Sequence, residues 1–276
     1  MIRLENLLNS RKEIFIDSCL ISPKEDRNFH RSYDQTIQVK IDAESLKKEC
    51  EILTHGINLL SCRNVFVIKE IENELFCYKT FTSSIIERIE KDDQKIRYLN
   101  EIKEKLNILP TLLESSRINV EGDLFNSLNY MFRIIENSLD PKKDPLNCCG
   151  RIKYESASYG DIGLVSAFYL RRILGQPAVI FTSDRDIRKL IGVSANIFLE
   201  KYFDDIDIFQ GIIKDWDPII YTPNKKDRYS IYEERWNTLM NFQRMNKIPT
   251  EKRPVLYKEL KKEMRKIRKM MSNPTI

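Results

Sequence analysis

Two acidic residues of this chain stand at the ends of short apolar runs, where a carboxylate could take part in chemistry. Asp17 closes the run EIFID, and Asp184 closes the run AVIFTSD. Runs of this kind are typical of buried strands in a parallel sheet. Such sheets bind their ligands beyond the carboxyl ends of the strands. We therefore expect both carboxylates at one edge of a sheet, where they could bind a cation.

Two further acids lie in the first turns of predicted helices. Glu74 follows a strand-like segment in NVFVIKEIENEL, and Asp161 lies in SYGDIGLVSAFYLRRIL. Glu70, one turn earlier on the same helix face, is the alternative to Glu74. We expect these acids to join Asp17 and Asp184. Clustered carboxylates raise one another's pKa unless a positive charge lies between them. All-oxygen ligands favour Mg²⁺ or Mn²⁺, which also bind phosphate oxygens, so the acids predict a metal site for phosphodiester hydrolysis.

Each acid also has a simpler explanation. Asp17 and Asp184 could be polar residues that merely end strands. Asp161 could be a capping-box acid behind an N-cap at Ser158. Asp186 fits the N-cap of the following helix better than a metal ligand, although we keep it in the candidate metal-binding set. The metal site therefore depends on whether the acids converge.

The composition excludes several other kinds of site. His30 and His55 are the only histidines, which excludes H-E-x-x-H zinc sites. None of the eight glycines belongs to a Gly-rich phosphate loop. The cysteines contain no C-x-x-C pair, and we expect them to be reduced thiols that mostly fill the core: Cys19, Cys50, Cys62, Cys77, Cys148 and Cys149. If the chain is an enzyme, carboxylates must carry its chemistry.

The elements that position these residues alternate between strands and helices. Periodic apolar positions predict helices at 42–60 with Asp42 as N-cap, at 124–139, at 158–174 and from Asp186. Pro110 is expected to interrupt a helical pattern, 140–150 to form a loop, and 196–199 to form a further strand. This alternation predicts an α/β fold with a mostly parallel central sheet flanked by helices.

We expect two domains. Residues 1–205 would form the α/β domain with a helical insertion at about 80–150, and residues 206–276 would form a basic helical extension. The insertion is expected to pack beside the core, where it shapes a substrate groove or a homodimer surface, or is purely structural. No apolar stretch approaches the roughly 18 residues of a membrane span, and the first residues lack the apolar core of a signal peptide. We expect a soluble, cytoplasmic protein without a membrane partner.

The carboxyl-terminal segment concentrates the positive charge. Residues 251–271 contain nine Lys or Arg and three Glu, a net +6, whereas the whole chain carries +5. An apolar stripe predicts an amphipathic helix: Leu256, Leu260, Met264, Ile267 and Met271. The predicted nucleic-acid-binding residues are Lys258, Lys261, Lys262, Arg265, Lys266, Arg268 and Lys269. Such a surface could hold RNA through salt-sensitive phosphate contacts. A solvated helix face and an acidic protein or membrane partner are the alternatives.

The four acidic segments together resemble those of the PIN-domain nucleases. The matching pieces are IFIDS with Asp17, VFVIKEIENEL with Glu74, SYGDIGLVSAFYL with Asp161 and VIFTSDRDI with Asp184. The resemblance implies a PIN-like fold and metal-dependent endoribonuclease activity with one or two Mg²⁺ or Mn²⁺ ions. It implies that Asp17 and Asp184 hold metal and that Glu74 and Asp161 complete the site.

The resemblance also implies supporting roles for the hydroxyl groups of Ser18, Thr182 and Ser183 beside these acids. The long interval between Glu74 and Asp161 departs from the smallest family members and indicates inserted helices. We expect an endoribonuclease of RNA processing or decay. The alternative is a catalytically inactive PIN-like module that binds RNA or protein. A flap-type DNA nuclease would need further acids and a helix-hairpin-helix, which we do not find.

Overall fold

A computed structural model describes most of the chain. The described residues are 1–21, 41–89, 92–139, 155–199, 207–213, 217–224, 227, 229–242 and 248–272. The polar stretch 22–34 and the predicted loop 140–150, with Cys148 and Cys149, lie outside them.

Strands and helices alternate along much of the chain, as the apolar patterns predict. The strands are β1 (Ile2–Arg3), β2 (Glu13–Ile16), β3 (Val65–Phe66), β4 (Ala178–Phe181), β5 (Ile220–Pro223) and β6 (Ser230–Glu234). The first helices are α1 (Leu4–Leu8), α2 (Ala43–Leu60), α3 (Lys69–Ile86), α4 (Asp93–Ser116) and α5 (Asp123–Ser138). The later helices are α6 (Glu155–Ile173), α7 (Arg185–Phe198), α8 (Asp207–Ile213), α9 (Trp236–Phe242) and α10 (Arg253–Ser272). Short 3₁₀ helices span Ser18–Leu20 and Thr250–Lys252.

The fold is α/β, with helices flanking a mixed six-stranded sheet. The strand order is β1-β6-β5-β4-β2-β3. β4 and β5 are parallel and align Ile180 with Ile220. β6 is antiparallel to β5 and to β1, and it pairs Ile231 with Ile2. The expectation of a mostly parallel sheet is wrong at β6. The interval between β5 and β6 is too short for the crossover that a parallel pair needs.

The chain divides into two compact units. Unit 1 comprises Met1–Phe15 and Asn119–Ile276, and unit 2 comprises Ile16–Ile118. These bounds differ from the predicted separation at residue 205. They also pass through the predicted insertion at 80–150, so that α4 belongs to unit 2 and α5 to unit 1. The predicted carboxyl-terminal extension is not wholly helical, because it supplies β5 and β6.

Unit 2 is built on helix packing. α2 packs against α4 and β3, and α3 also packs against α4. The Asp42 side chain caps α2 by accepting a hydrogen bond from the Ser45 N–H at 2.7 Å, which confirms the predicted N-cap. The stripe residues Leu46 and Leu53 are fully buried. The predicted strand-to-helix junction is confirmed as β3 followed by α3.

Pro110 does not interrupt the helical pattern as predicted, because α4 continues through it. A proline inside a helix removes one backbone hydrogen bond and crowds the preceding turn, at a cost of about 3 kcal/mol. Leu106, Leu109 and Leu113 are buried on either side of Pro110. Burial of this leucine stripe offsets the local cost and keeps α4 in one piece.

Unit 1 encloses an aromatic core where helices meet the sheet. Tyr169 on α6 is fully buried, and its ring lies 4.8 Å from that of Phe132 and 5.9 Å from that of Phe198. The Tyr169 hydroxyl lies 3.1 Å from the Ser194 Oγ on α7, so its polar end has a hydrogen-bond partner. These contacts fix α5, α6 and α7 relative to one another within unit 1.

Several predicted boundaries in unit 1 are wrong. The expected strand at 196–199 is instead the end of α7, whose N-cap is Asp184. α6 begins at Glu155, three residues before the expected N-cap at Ser158. The capping-box explanation of Asp161 therefore does not apply, because Ser158 lies inside the helix.

The cysteines only partly match their expected role as core residues. No disulfide involves the described cysteines Cys19, Cys50, Cys62 and Cys77, as expected. Among these described cysteines Cys50 is buried and Cys77 is exposed. Burial raises the pKa of Cys50 to about 12, and the nearby Glu101 acts in the same direction.

Candidate functional site

The first predicted acid lies where β2 gives way to a 3₁₀ turn. Asp17 directly follows β2 and is the N-cap residue of the 3₁₀ helix Ser18–Leu20. Its side chain makes no capping hydrogen bond there. Asp17 is only 2% exposed, and Ser18 only 5%. A carboxylate at this depth has exchanged most of its water contacts for protein contacts. The free-energy cost of burying it therefore depends on the hydrogen bonds and charges around it.

Ser18 joins two of the predicted acids within unit 2. Its Oγ lies 2.5 Å from Glu74 Oε2 and 3.3 Å from Asp17 Oδ1. A separation near 2.5 Å is typical of a hydroxyl that donates to an ionised carboxylate. A hydroxyl has one proton, so Ser18 can donate to only one of the two acids at a time. We refer to these three side chains as the Asp17–Ser18–Glu74 cluster.

Glu74 reaches this cluster from the middle of a helix. It is the sixth residue of α3, in the second turn instead of the expected first turn. The 3₁₀ turn after β2 packs against α3, which brings the two segments together. Glu74 is half-buried, as is Glu70, the alternative considered from the sequence.

The oxygen donors of the Asp17–Ser18–Glu74 cluster suit a hard divalent cation. Mg²⁺ commonly binds through one or two carboxylates and keeps waters or substrate phosphates as its other ligands. Two carboxylates in reach of one hydroxyl meet that requirement. Within the described parts of the chain, no three Asp, Glu, His or Cys residues are grouped so that they could hold a metal ion. The fit therefore rests on Asp17 and Glu74.

The other two predicted acids belong to unit 1. Asp161 lies in the second turn of α6 and is 7% exposed. Asp184 follows β4 by three residues and is half-buried. Asp161 and Asp184 share unit 1 with the carboxyl-terminal helix α10, whereas Asp17 and Glu74 belong to unit 2.

Asp184 has a structural role at the start of α7. Its carboxylate accepts a hydrogen bond from the Asp186 N–H at 2.8 Å, and its own N–H donates to Thr182 Oγ1 at 2.8 Å. The sequence suggested Asp186 as the N-cap residue of α7. The N-cap residue is instead Asp184, and Asp186 lies in the first turn of the helix. Thr182 is fully buried, whereas Ser183 is exposed. A capping carboxylate at a helix N-terminus contributes about 1 kcal/mol to stability.

Two buried acids of unit 2 escaped the sequence analysis. Glu49 is 4% exposed and accepts a hydrogen bond from the Tyr78 hydroxyl, while burial raises the pKa of Tyr78 well above its usual value. Glu72 is 6% exposed and lies 3.5 Å from the Arg117 guanidinium. Each pairs with a residue distant in sequence, so local spacing gave no signal for either.

The basic carboxyl-terminal helix is confirmed as α10. The apolar stripe is buried at Leu256, Leu260, Met264 and Ile267, and it packs against α5 within unit 1. All seven predicted nucleic-acid-binding side chains are exposed: Lys258, Lys261, Lys262, Arg265, Lys266, Arg268 and Lys269. Among them Lys266 forms an ion pair with the buried Glu263 at 2.7 Å. At 3.6 residues per turn the seven fall within an arc of about 160°, opposite the buried stripe.

None of the helices in the described residues combines the length and apolar character needed to cross a membrane.

Comparison of the chain with protein-family models, curated proteins and solved structures finds no match.

Proposed function

We propose that this protein is a metal-dependent endoribonuclease that hydrolyses RNA phosphodiester bonds in RNA processing or decay. The observation that supports it best is the Asp17–Ser18–Glu74 cluster, in which the Ser18 hydroxyl links the neighbouring Asp17 to Glu74, which is 56 positions from Ser18 in sequence. A buried carboxylate that shares a hydroxyl with a second, half-buried carboxylate is a candidate functional site, because a cation between the two would favour their charged forms.

Asp17 and Glu74 would hold Mg²⁺ or Mn²⁺, and Ser18 would orient Glu74. A bound divalent cation supplies Lewis-acid activation of water and of the phosphate group. The burial of Asp17 limits its mobility and keeps bulk water from competing for its oxygens. The resemblance to PIN-domain nucleases assigns metal-binding roles to Asp161 and Asp184 as well, and their substitution tests that assignment separately.

The decisive experiment measures cleavage of end-labelled single-stranded and structured RNA by the purified full-length chain with Mg²⁺, Mn²⁺ or EDTA. Asp17→Asn and Glu74→Gln should each lower the cleavage rate about 100-fold or more, while the far-ultraviolet circular dichroism spectrum stays unchanged. Glu70→Gln is the matched control on the same helix and should keep the wild-type rate.

Three outcomes would contradict the proposal. They are cleavage in EDTA, full cleavage by Asp17→Asn, and an equal loss in Glu70→Gln and Glu74→Gln. If the chain binds RNA but cleaves none of it with either metal, the alternative of an inactive RNA-binding module holds.

A further inference from the structure

An exposed tyrosine of unit 1 lies beside the basic face of α10. α5 packs against α10, and Tyr130 on α5 is 49% exposed. Tyr130 lies off the buried side of α5, which includes Leu128, Met131 and Ile135. The pKa of Lys266 is raised chiefly by its hydrogen bond to Glu263, and the nearby Tyr130 acts in the same direction. Because α5 packs against α10, the exposed ring of Tyr130 and the exposed cations lie on adjoining helices of unit 1.

This combination of groups suits unpaired nucleic acid. Lysine and arginine side chains neutralise phosphates, and the nucleic acid then releases the counterions that it had bound. An exposed aromatic ring stacks on an unpaired base, which contributes about 1–3 kcal/mol for each base and tolerates any sequence. Lys258 and Lys269 lie about 16 Å apart along the helix axis at a rise of 1.5 Å per residue, which leaves room for several phosphates.

We propose that the exposed basic face of α10 and Tyr130 form a binding surface for single-stranded RNA, with phosphates on the basic side chains and a base stacked on Tyr130. The choice of RNA over DNA rests on the proposed function. The stacking site distinguishes this surface from a purely electrostatic one, because a duplex keeps its bases paired and out of reach of an exposed ring.

The burial pattern of α10 disfavours a membrane as the partner. A helix that lies in a bilayer interface inserts its apolar face among the lipid chains. On α10 that face is already covered: Leu256, Leu260, Met264 and Ile267 are each no more than 8% exposed. Only charge and the single exposed ring of Tyr130 would remain to bind anionic lipids, without an apolar helix face that could insert.

The test measures binding of the full-length chain to a fluorescent single-stranded RNA by anisotropy, in EDTA to prevent cleavage, over a range of KCl concentrations. A Lys258→Gln, Lys262→Gln, Lys269→Gln triple variant removes three exposed charges from the centre of the basic face. We expect the slope of log affinity against log salt to become shallower by up to about 2, since each single-strand phosphate contact contributes about 0.7. Lys47→Gln with Lys48→Gln, two exposed lysines on α2, is the control and should leave the slope unchanged.

The tyrosine is tested separately. Tyr130→Ala should weaken binding about 5-fold or more at every salt concentration without changing the slope, and Tyr130→Phe should keep wild-type affinity. Tyr229→Ala is the matched control, since Tyr229 is 71% exposed. Duplex RNA of the same length should lose no affinity in Tyr130→Ala.

Three results would overturn the inference: an unchanged slope in the triple variant, an unchanged affinity in Tyr130→Ala, or tighter binding to phosphatidylserine vesicles than to RNA. Cleavage without a binding role for this surface would remove this inference alone. Binding without cleavage by the wild-type chain would remove the proposed nuclease function alone.

Discussion

At the residue scale, the Ser18 side chain is almost fully buried and its hydroxyl lies between two carboxylates. Its single proton can satisfy one acid at a time, so the other must rely on different partners. A cation that bound both acids would relieve this competition.

Removal of this hydroxyl should be costly. We expect Ser18→Ala to lower the free energy of unfolding by about 1.5–3 kcal/mol, because the Glu74 carboxylate loses the hydrogen bond that Ser18 donates to it. Ser61→Ala is the matched control: Ser61 is exposed and its hydroxyl bonds to the Ile57 carbonyl at 2.8 Å. Urea denaturation of both variants provides the measurement, and equal stability of the two would show that the Ser18 bond is not formed.

The thiols differ in their expected reactivity. The pKa of Cys50 is raised to about 12, mainly by burial, so it stays protonated and shielded at pH 8, whereas Cys77 is exposed. Iodoacetamide should therefore label Cys77 well before Cys50, because the thiolate is the reactive form. Peptide mapping by mass spectrometry resolves the two sites. Labelling of Cys50 as fast as Cys77 under native conditions would contradict the buried placement.

The sequence predicted where some candidate residues lie in the fold, but it did not predict their hydrogen-bond partners. Asp17 and Asp184 could be placed at strand ends because apolar runs precede them. The bond from Ser18 to Glu74 and the pair of Glu72 with Arg117 could not be predicted, since each depends on tertiary packing across more than 40 positions. Tyr130 was overlooked although its position off the apolar stripe of α5 was visible in the sequence.

At the scale of the elements, α5 begins at a backbone conformation that requires glycine. Gly122 is its N-cap residue and has φ 114° and ψ 170°, a region that side chains strongly disfavour. A Cβ at this position would meet no atom within 4 Å, so the constraint comes from the backbone alone.

Substitution at Gly122 isolates that constraint. Gly122→Ala should lower the free energy of unfolding by about 1–3 kcal/mol. Gly211→Ala makes the same chemical change in α8 with equally open space, and there it should be neutral or stabilise by up to about 1 kcal/mol. Thermal or urea unfolding compares the two. A Gly122→Ala variant as stable as Gly211→Ala would show that α5 can start in another conformation.

Elements with strong periodicity were predictable, and exceptions have physical causes. α2 and its Asp42 cap matched the prediction because a clear stripe follows a strong capping residue. α4 was predicted to break at Pro110, but tertiary burial of its leucines outweighs the local preference. β5 and β6 were missed because short strands in a charged segment have no distinct pattern.

At the scale of the whole molecule, α10 is a structural part of unit 1 as well as a charged surface. Deletion of residues 251–276 should lower the thermal unfolding temperature, because it uncovers the surface of α5 that buries Leu256, Leu260 and Ile267, each worth about 1.5–3 kcal/mol. The triple lysine variant keeps this stripe and should melt like the wild-type chain. Differential scanning calorimetry measures both. An unchanged melting temperature after the deletion would show that α10 contributes charge alone.

The division into units could not be derived from the sequence. The sequence analysis predicted two domains, each made of one continuous segment. Unit 1 instead combines two segments that are far apart in sequence. No linker-like composition marks residue 15 or residue 119. Only the packing of the elements reveals the boundary.

The pairing of β1 with β6 has a consequence for synthesis on the ribosome. Ile2 pairs with Ile231, so β1 cannot meet its neighbouring strand until residue 231 has been synthesised. Unit 2 is continuous and emerges whole in the meantime. Since domains fold as they emerge, and distant pairings form slowly, unit 2 is expected to fold before β6 has been synthesised, and unit 1 only afterwards. The nascent chain would therefore leave β1 without its partner strand until β6 emerges, a period in which a chaperone could bind β1.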